Sequence, residues 1–145
     1  MINFNLKVIM CFILFISPVF SAIELNKNIQ QKIKNWQKVG EVNQFIEYYI
    51  DTESITKEES FVFVLELINF IGQHRTNVLS GIAYRKIDCS SFAYKTIKLE
   101  SYNKLFGKGK VLKSHNIAKG WVFPKSGSTG ELIAKKACNI AKQMN

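Results

Sequence analysis

The chain of 145 residues carries 20 Lys and Arg against 11 Asp and Glu, a formal net charge of +9, with 47% hydrophobic and 21% charged residues. That length suits one domain, and so apolar a composition excludes a chain that stays disordered. No internal repeat recurs, which excludes a solenoid or a propeller, and only the N-terminus is apolar enough to be weighed as a membrane span.

Met1–Asn5 and Lys7 form a short, weakly positive start, followed by an apolar run from Val8 to Phe20 that is interrupted by Ser17 and Pro18 and exits through Ser21 and Ala22. A charged start, a short apolar core and a small-residue exit are the marks of a secretory signal peptide. A spanning helix would need about 20 apolar residues and would not carry a proline near its end. Cleavage is expected after Ala22, leaving residues 23–145 as one exported domain with no stable membrane span. Lipid attachment would need a cysteine just past the apolar core. Cys11 instead opens the run, behind Met10, and reads as a plain apolar residue that leaves with the signal.

Two cysteines then remain, Cys89 and Cys138, 49 residues apart and far from the C-x-x-C spacing of metal or redox sites. An even count in an exported chain predicts a disulfide, the alternative being two free buried thiols.

Along the mature chain, a short helix over Asn26–Lys34 is weakly signalled, and Trp36–Val39 could begin a sheet. Phe45–Ile50 alternates as a half-buried strand does and runs into the turn residues Asp51–Ser54. Ser60–Phe70 is apolar on both faces, with Phe61, Phe63, Leu65 and Leu67 against Val62, Val64, Ile68 and Phe70, which predicts a central strand. Further strands are expected over Ile82–Asp88, Tyr94–Glu100 and Lys110–Leu112, with Gly107, Gly109 and Gly120 as punctuation. Pro124–Gly130 is turn chemistry, and Ser128 precedes Glu131 by a capping-box spacing. Leu132, Ile133, Ala137, Ile140 and Ala141 then recur at helical spacing. The expected class is α+β: an antiparallel β-sheet of about six strands, with a C-terminal α-helix packed on one face and tied to the sheet through Cys89 and Cys138.

Candidate chemistry is sparse. His74 and His115 have no metal-ligand companions at suitable spacing and read as solvent-facing; Ser90, Ser91, Ser126 and Ser128 lack a nucleophile-elbow context. A grouping of Ser126, His115 and Asp88 can be written down, but nothing in the sequence brings it together. Asp51 and Asp88 are explained by turn-capping and strand-end roles. No catalytic residue, metal site or cofactor is expected, and no nucleic-acid motif is present.

Charge is more informative. Residues 23–74 hold five basic and eight acidic side chains, a net of −3, while residues 75–145 hold fourteen and three, a net of +11. Lys104, Lys108, Lys110, Lys113 and Lys119 gather around a Gly-punctuated strand that also holds His115, and Lys95 and Lys98 would join them if their strand is adjacent. Such asymmetry suggests an acidic partner: a host protein, an acidic glycan or an anionic envelope polymer. The plainer reading is a solvated, solubilising strand. Trp36, Trp121, Tyr48, Tyr49, Tyr84 and Tyr102 fall at sheet positions and read as core or cross-strand pairs. A groove among them could take an extended peptide, and a free sheet edge could pair with a second copy to give a homodimer.

Trp36-x-x-Val39, then Tyr48-Tyr49-Ile50-Asp51 with Ser54-Ile55, resembles the opening of the surface-adhesin protein E family of Gram-negative bacteria. The order continues through Phe61–Phe70, Ser80, Tyr84-x-x-Ile87-Asp88-Cys89, Tyr102, Gly109-x-Val111, Trp121, Pro124-x-Ser126 and Cys138, so that the resemblance covers about residues 35–138. It implies an antiparallel sheet with a helix against it, the cysteine pair, and an envelope or surface location. It also implies binding of host proteins, which in characterised members include vitronectin, laminin and plasminogen. The chain departs from the family in lacking a lipid-attachment cysteine at its expected mature start. The alternative is therefore a periplasmic envelope protein, structural or stress-related, with no host ligand.

Overall fold

A computed structural model of the chain describes residues 35–72, 76–117 and 120–144. The expected signal segment with Cys11, the weakly signalled helix before Trp36, His74 and Lys119 lie outside the described residues. Seven strands, β1 (Trp36–Val42), β2 (Ile46–Asp51), β3 (Thr56–Glu58), β4 (Phe61–Phe70), β5 (Ser80–Asp88), β6 (Tyr94–Tyr102) and β7 (Val111–Asn116), precede one helix, α1 (Thr129–Gln143). Every pairing is antiparallel; the order is β1-β2-β4-β5-β6-β7, with β3 also paired to β4. The α+β class and the packed C-terminal helix are as the periodicity predicts. β3 has no sequence signal, because its three residues are all exposed.

β4 takes the centre because both its faces are apolar, and Val62, Val64 and Leu67 are buried there. The turn between β1 and β2 has Asn43 and Gln44 at φ of 52° and 61°. Two consecutive left-handed residues form the centre of a turn closed by the Phe45 N–H donating to the Val42 carbonyl at 3.1 Å, and Asn tolerates that region well.

On one side of the sheet, Ile50, Val62, Val64 and Ile87 pack with Ile55 against Ile133, Ala134, Ala137, Cys138 and Ala141 of α1. Leu132, expected in this stripe, faces out instead and is exposed. The helix starts where the capping-box spacing places it, with Ser128 Oγ accepting the Glu131 N–H at 3.4 Å. The Glu131 carboxylate reaches back to the Gly127 N–H at 2.8 Å, because the Ser128 N–H already donates to the Lys125 carbonyl. Cys89, just past the end of β5, is bonded to Cys138 in mid-helix across 5.7 Å between Cα atoms, so the disulfide ties sheet to helix.

The core under the helix is not wholly apolar. Glu66, on the helix side of β4, is buried and is paired with Arg85 on β5, whose Nη2 donates to Glu66 Oε1 at 3.1 Å while Nε pairs with Oε2. The guanidinium lies 4.2 Å from the centre of the Tyr94 ring. Tyr94 in turn comes so close to Gly130 that a Cβ there would lie 3.2 Å from the ring, which explains glycine in the first turn of α1. Burial pushes the Glu66 carboxyl up, against the opposing pull of Arg85.

Candidate functional site

The basic stretch is built by a loop, a bulge and a sheet edge. After β6 the chain makes a tight 3-10 turn over Leu105–Gly107, with Phe106 at φ 59° and Gly107 at φ 64°. A Cβ on Gly107 would lie 2.4 Å from Ile82 Cδ1, so only glycine fits the turn as it stands. Two buried polar side chains on the open side of the sheet, away from the helix, hold this turn down. Asn69 Oδ1 accepts the Phe106 N–H at 2.8 Å, and Ser80 Oγ accepts the Gly107 N–H at 2.9 Å while donating to the Lys104 carbonyl at 2.5 Å. Phe106 meets Tyr49 edge-on at 5.5 Å between ring centres. Asn103 then closes the loop: its Oδ1 accepts the Lys110 N–H at 2.7 Å, and its own N–H donates to the Lys110 carbonyl. Lys104, Lys108 and Lys110 thus stand exposed on a loop whose backbone is fixed from beneath.

β7 follows as the outer strand, and all six of its residues are exposed. Its register against β6 shifts between Ser101 and Tyr102, so that Val111 pairs with Tyr102 and Lys113 with Ser101. Simple alternation would put Lys113 and Val111 on one face; the bulge breaks that pattern, as bulges do at sheet edges. Lys98 on β6 is adjacent to β7, opposite Asn116, but it is bound to Glu100 at 2.7 Å. That bond and the one from the Tyr102 hydroxyl hold the Glu100 carboxyl below the usual glutamate range. Glu100 is therefore taken, and among the described residues Lys104, Lys108, Lys110 and Lys113 have no carboxylate partner. Lys104, Lys108 and Lys110 share the loop before β7, and Lys113 lies on β7 itself, on the face opposite Val111. Lys95 lies elsewhere, against Trp121 on the open side.

The residues weighed for chemistry are dispersed or engaged. Asp51 Oδ1 accepts the Glu53 N–H, and Asp88 accepts from the Ser90 N–H and from the hydroxyls of Ser90 and Ser91. Those bonds draw the Asp88 carboxyl below its ordinary value. His115 pairs with Leu99 in a cross-strand row that continues through Ala83 to Glu66 on the helix side, whereas Asp88 shares a row with Phe61 on the open side. His115 and Asp88 consequently face opposite sides of the sheet, and no triad with Ser126 is assembled. Among the described residues no group of three His, Cys, Asp or Glu is placed to hold a metal ion, and no helix is long and apolar enough to cross a membrane.

Sequence reasoning missed Asn69 and Asn103 and gave Ser80 no role beyond its place in the resemblance, yet these three side chains fix the basic loop. Asn69 and Ser80 are polar residues inside apolar or alternating runs, and that interruption is the signal that could have marked them.

Comparison with known proteins supplies the context. None of the curated proteins matches the chain. Solved structures of Haemophilus influenzae protein E share its fold: crystal form II at 19% identity and a TM-score of 0.57, over 75% of this chain and 91% of that one. A second structure of that protein matches at 20% identity and a TM-score of 0.55, over 75% and 88%, and a selenomethionine form at 16% and 0.55, over 73% and 87%. The family model described as surface-adhesin protein E matches residues 36–139. That match runs from β1 to the half of α1 that carries Cys138, and the chain belongs to the surface-adhesin protein E family.

Proposed function

We propose that the chain is an exported, non-enzymatic adhesin that binds host or extracellular macromolecules through its β7 edge, after removal of residues 1–22. The carrying observation is the edge itself: a wholly exposed outer strand and a pinned loop bearing Lys104, Lys108, Lys110 and Lys113, which have no carboxylate partner among the described residues. An outer strand offers unpaired backbone donors and acceptors to an extended segment. Positive charge around it steers acidic segments into place and repels basic ones. Acidic stretches of extracellular-matrix or serum proteins fit that chemistry, and vitronectin, laminin and plasminogen are the first to try.

Two measurements test this reading. Protease or antibody added to intact cells should reach the protein without permeabilisation; protection until the outer membrane is opened would place it in the periplasm and favour the structural envelope role instead. Purified domain should bind the matrix proteins with an affinity that falls as salt rises. Changing Lys108, Lys110 and Lys113 together to Glu should weaken binding by roughly tenfold or more, since reversed charges repel the partner. Binding indifferent to both salt and these substitutions would exclude the edge as the docking surface.

A further inference from the structure

The open side of the sheet carries a second basic feature, independent of the β7 edge. In the register of β4, β5 and β6, Phe63, Lys86 and Lys95 occupy one cross-strand row. Lys86 and Lys95 are therefore directly opposed like charges, an arrangement that disfavours strand pairing unless something offsets it. No carboxylate does: neither lysine takes part in an ion pair among the described residues. The acids nearest in register, Glu58 and Asp88, stand in the row of Phe61 at the strand ends, and Asp88 is occupied by Ser90 and Ser91.

Aromatic rings hold the two ammonium groups instead. Lys86 Nζ lies 3.9 Å from the centre of the Phe61 ring and 5.5 Å from that of Phe63, and Lys95 Nζ lies 4.7 Å from the Trp121 ring. Trp121 stacks on Phe61 at 5.7 Å with 20° between ring planes, so both cations sit over two rings that touch each other. A ring face attracts a cation without neutralising it. Both lysines are half-buried, which restricts their side chains before any anion arrives and lowers the entropy lost on binding one. Beyond Trp121 the chain presents Phe123, at 72% the most exposed large apolar side chain among the described residues. It stands two residues from Trp121, just past the Tyr94–Val122 bridge, and offers an exposed ring of the kind on which the C–H face of a sugar stacks.

We infer that Lys86 and Lys95 form an anion subsite for a sulfated glycan, with one sulfate bridging the two ammonium groups and the neighbouring sugar lying on Phe123. Sulfate esters carry single charges spaced along a polymer, which suits separate point-charge lysines on a flat surface. Phosphate monoesters are better met by the planar fork of arginine or by backbone N–H groups at a helix start. The sole described arginine, Arg85, is turned to the other side of the sheet and bound to Glu66. Acidic protein segments are assigned to the β7 edge, so the two surfaces differ in ligand as well as position.

The test is titration with a size-defined heparin octasaccharide and its fully desulfated counterpart, followed by calorimetry and by the Trp121 indole N–H resonance. The sulfated form should bind and shift that resonance, and the desulfated form should do neither. Lys86→Gln with Lys95→Gln should lower affinity at least tenfold, and Phe123→Ser several-fold, with thermal midpoints confirming that the variants fold. Lys108→Gln, Lys110→Gln and Lys113→Gln together should leave the Trp121 shift in place. The inference is overturned by a wild-type protein that does not bind, by a Lys86/Lys95 variant that binds within threefold of it, or by an equal response to desulfated sugar. Tighter binding of polyphosphate of matched charge at the same resonance would also overturn it. Loss of octasaccharide binding confined to the β7 variant would overturn this subsite while leaving the edge reading intact.

Discussion

The two sides of the sheet are built by different rules. On the helix side, apolar residues of β2, β4 and β5 meet a small-residue stripe on α1, a disulfide crosses the layer, and the buried Glu66–Arg85 pair is closed upon itself. Toward the open side and the β7 edge, lysines outnumber the acids available to them, and polar anchors fix the loop that displays Lys104, Lys108 and Lys110. Stability is therefore concentrated under the helix, whereas the edge is held in shape without contributing much to it. A rigid frame of this kind allows the presenting surface to carry unbalanced charge that a core could not.

The sharpest way to break this contrast is to remove the staple. Cys89→Ala with Cys138→Ala opens a link between residues 49 apart, which in the chain-entropy account is worth about 4 kcal/mol. Denaturant unfolding should show a midpoint lowered accordingly, and adding reductant to the wild type should reproduce it. If the midpoint does not move, the helix is held by packing alone and the staple is not the source of the contrast.

A slightly smaller loss is expected from Arg85→Met, which leaves Glu66 buried without its counter-charge. Orphaning one member of a buried pair costs roughly 3 kcal/mol or more. Glu66→Gln refines the point through pH. Burial raises the folded carboxyl above the ordinary glutamate value of 4.5. The folded protein then binds a proton that the unfolded chain releases, so this group's contribution is full below that value and fades as pH rises through the raised folded value. Asp88 and Glu100, held below their ordinary values, act the other way in both proteins, so the measure is the urea midpoint of wild type minus that of Glu66→Gln at pH 4, 5.5 and 7, which should fall as pH rises. A difference that stays constant across these values would show that Glu66 is not the source of the pH dependence.

The same contrast decides what could be read from the sequence. β4 was legible because ten residues apolar on both faces admit little besides a central strand, and α1 because its cap and stripe are local. Glu66 was not, since its partner lies on the next strand, 19 residues away, and only the register brings them together. The Lys86–Lys95 opposition was hidden for the same reason, and the register shifts at Tyr84–Arg85 and Ser101–Tyr102 leave no mark in the alternation. Local chemistry announces elements; pairing across strands creates the sites.

The smallest expected effect is the most telling for the edge. Lys108, Lys110 and Lys113 make no ion pair among the described residues, and none is buried, so changing all three to Glu removes no ion pair seen to hold the fold. Exposed substitutions of this type usually stay within about 0.5 kcal/mol each. Reversing charge in a half of the chain that carries +11 also relieves repulsion, which opposes any loss. The denaturant midpoint should therefore stay near wild type while partner binding falls. A large drop in stability would mean that the lysines belong to the frame, and the division between a stabilising side and a presenting edge would fail.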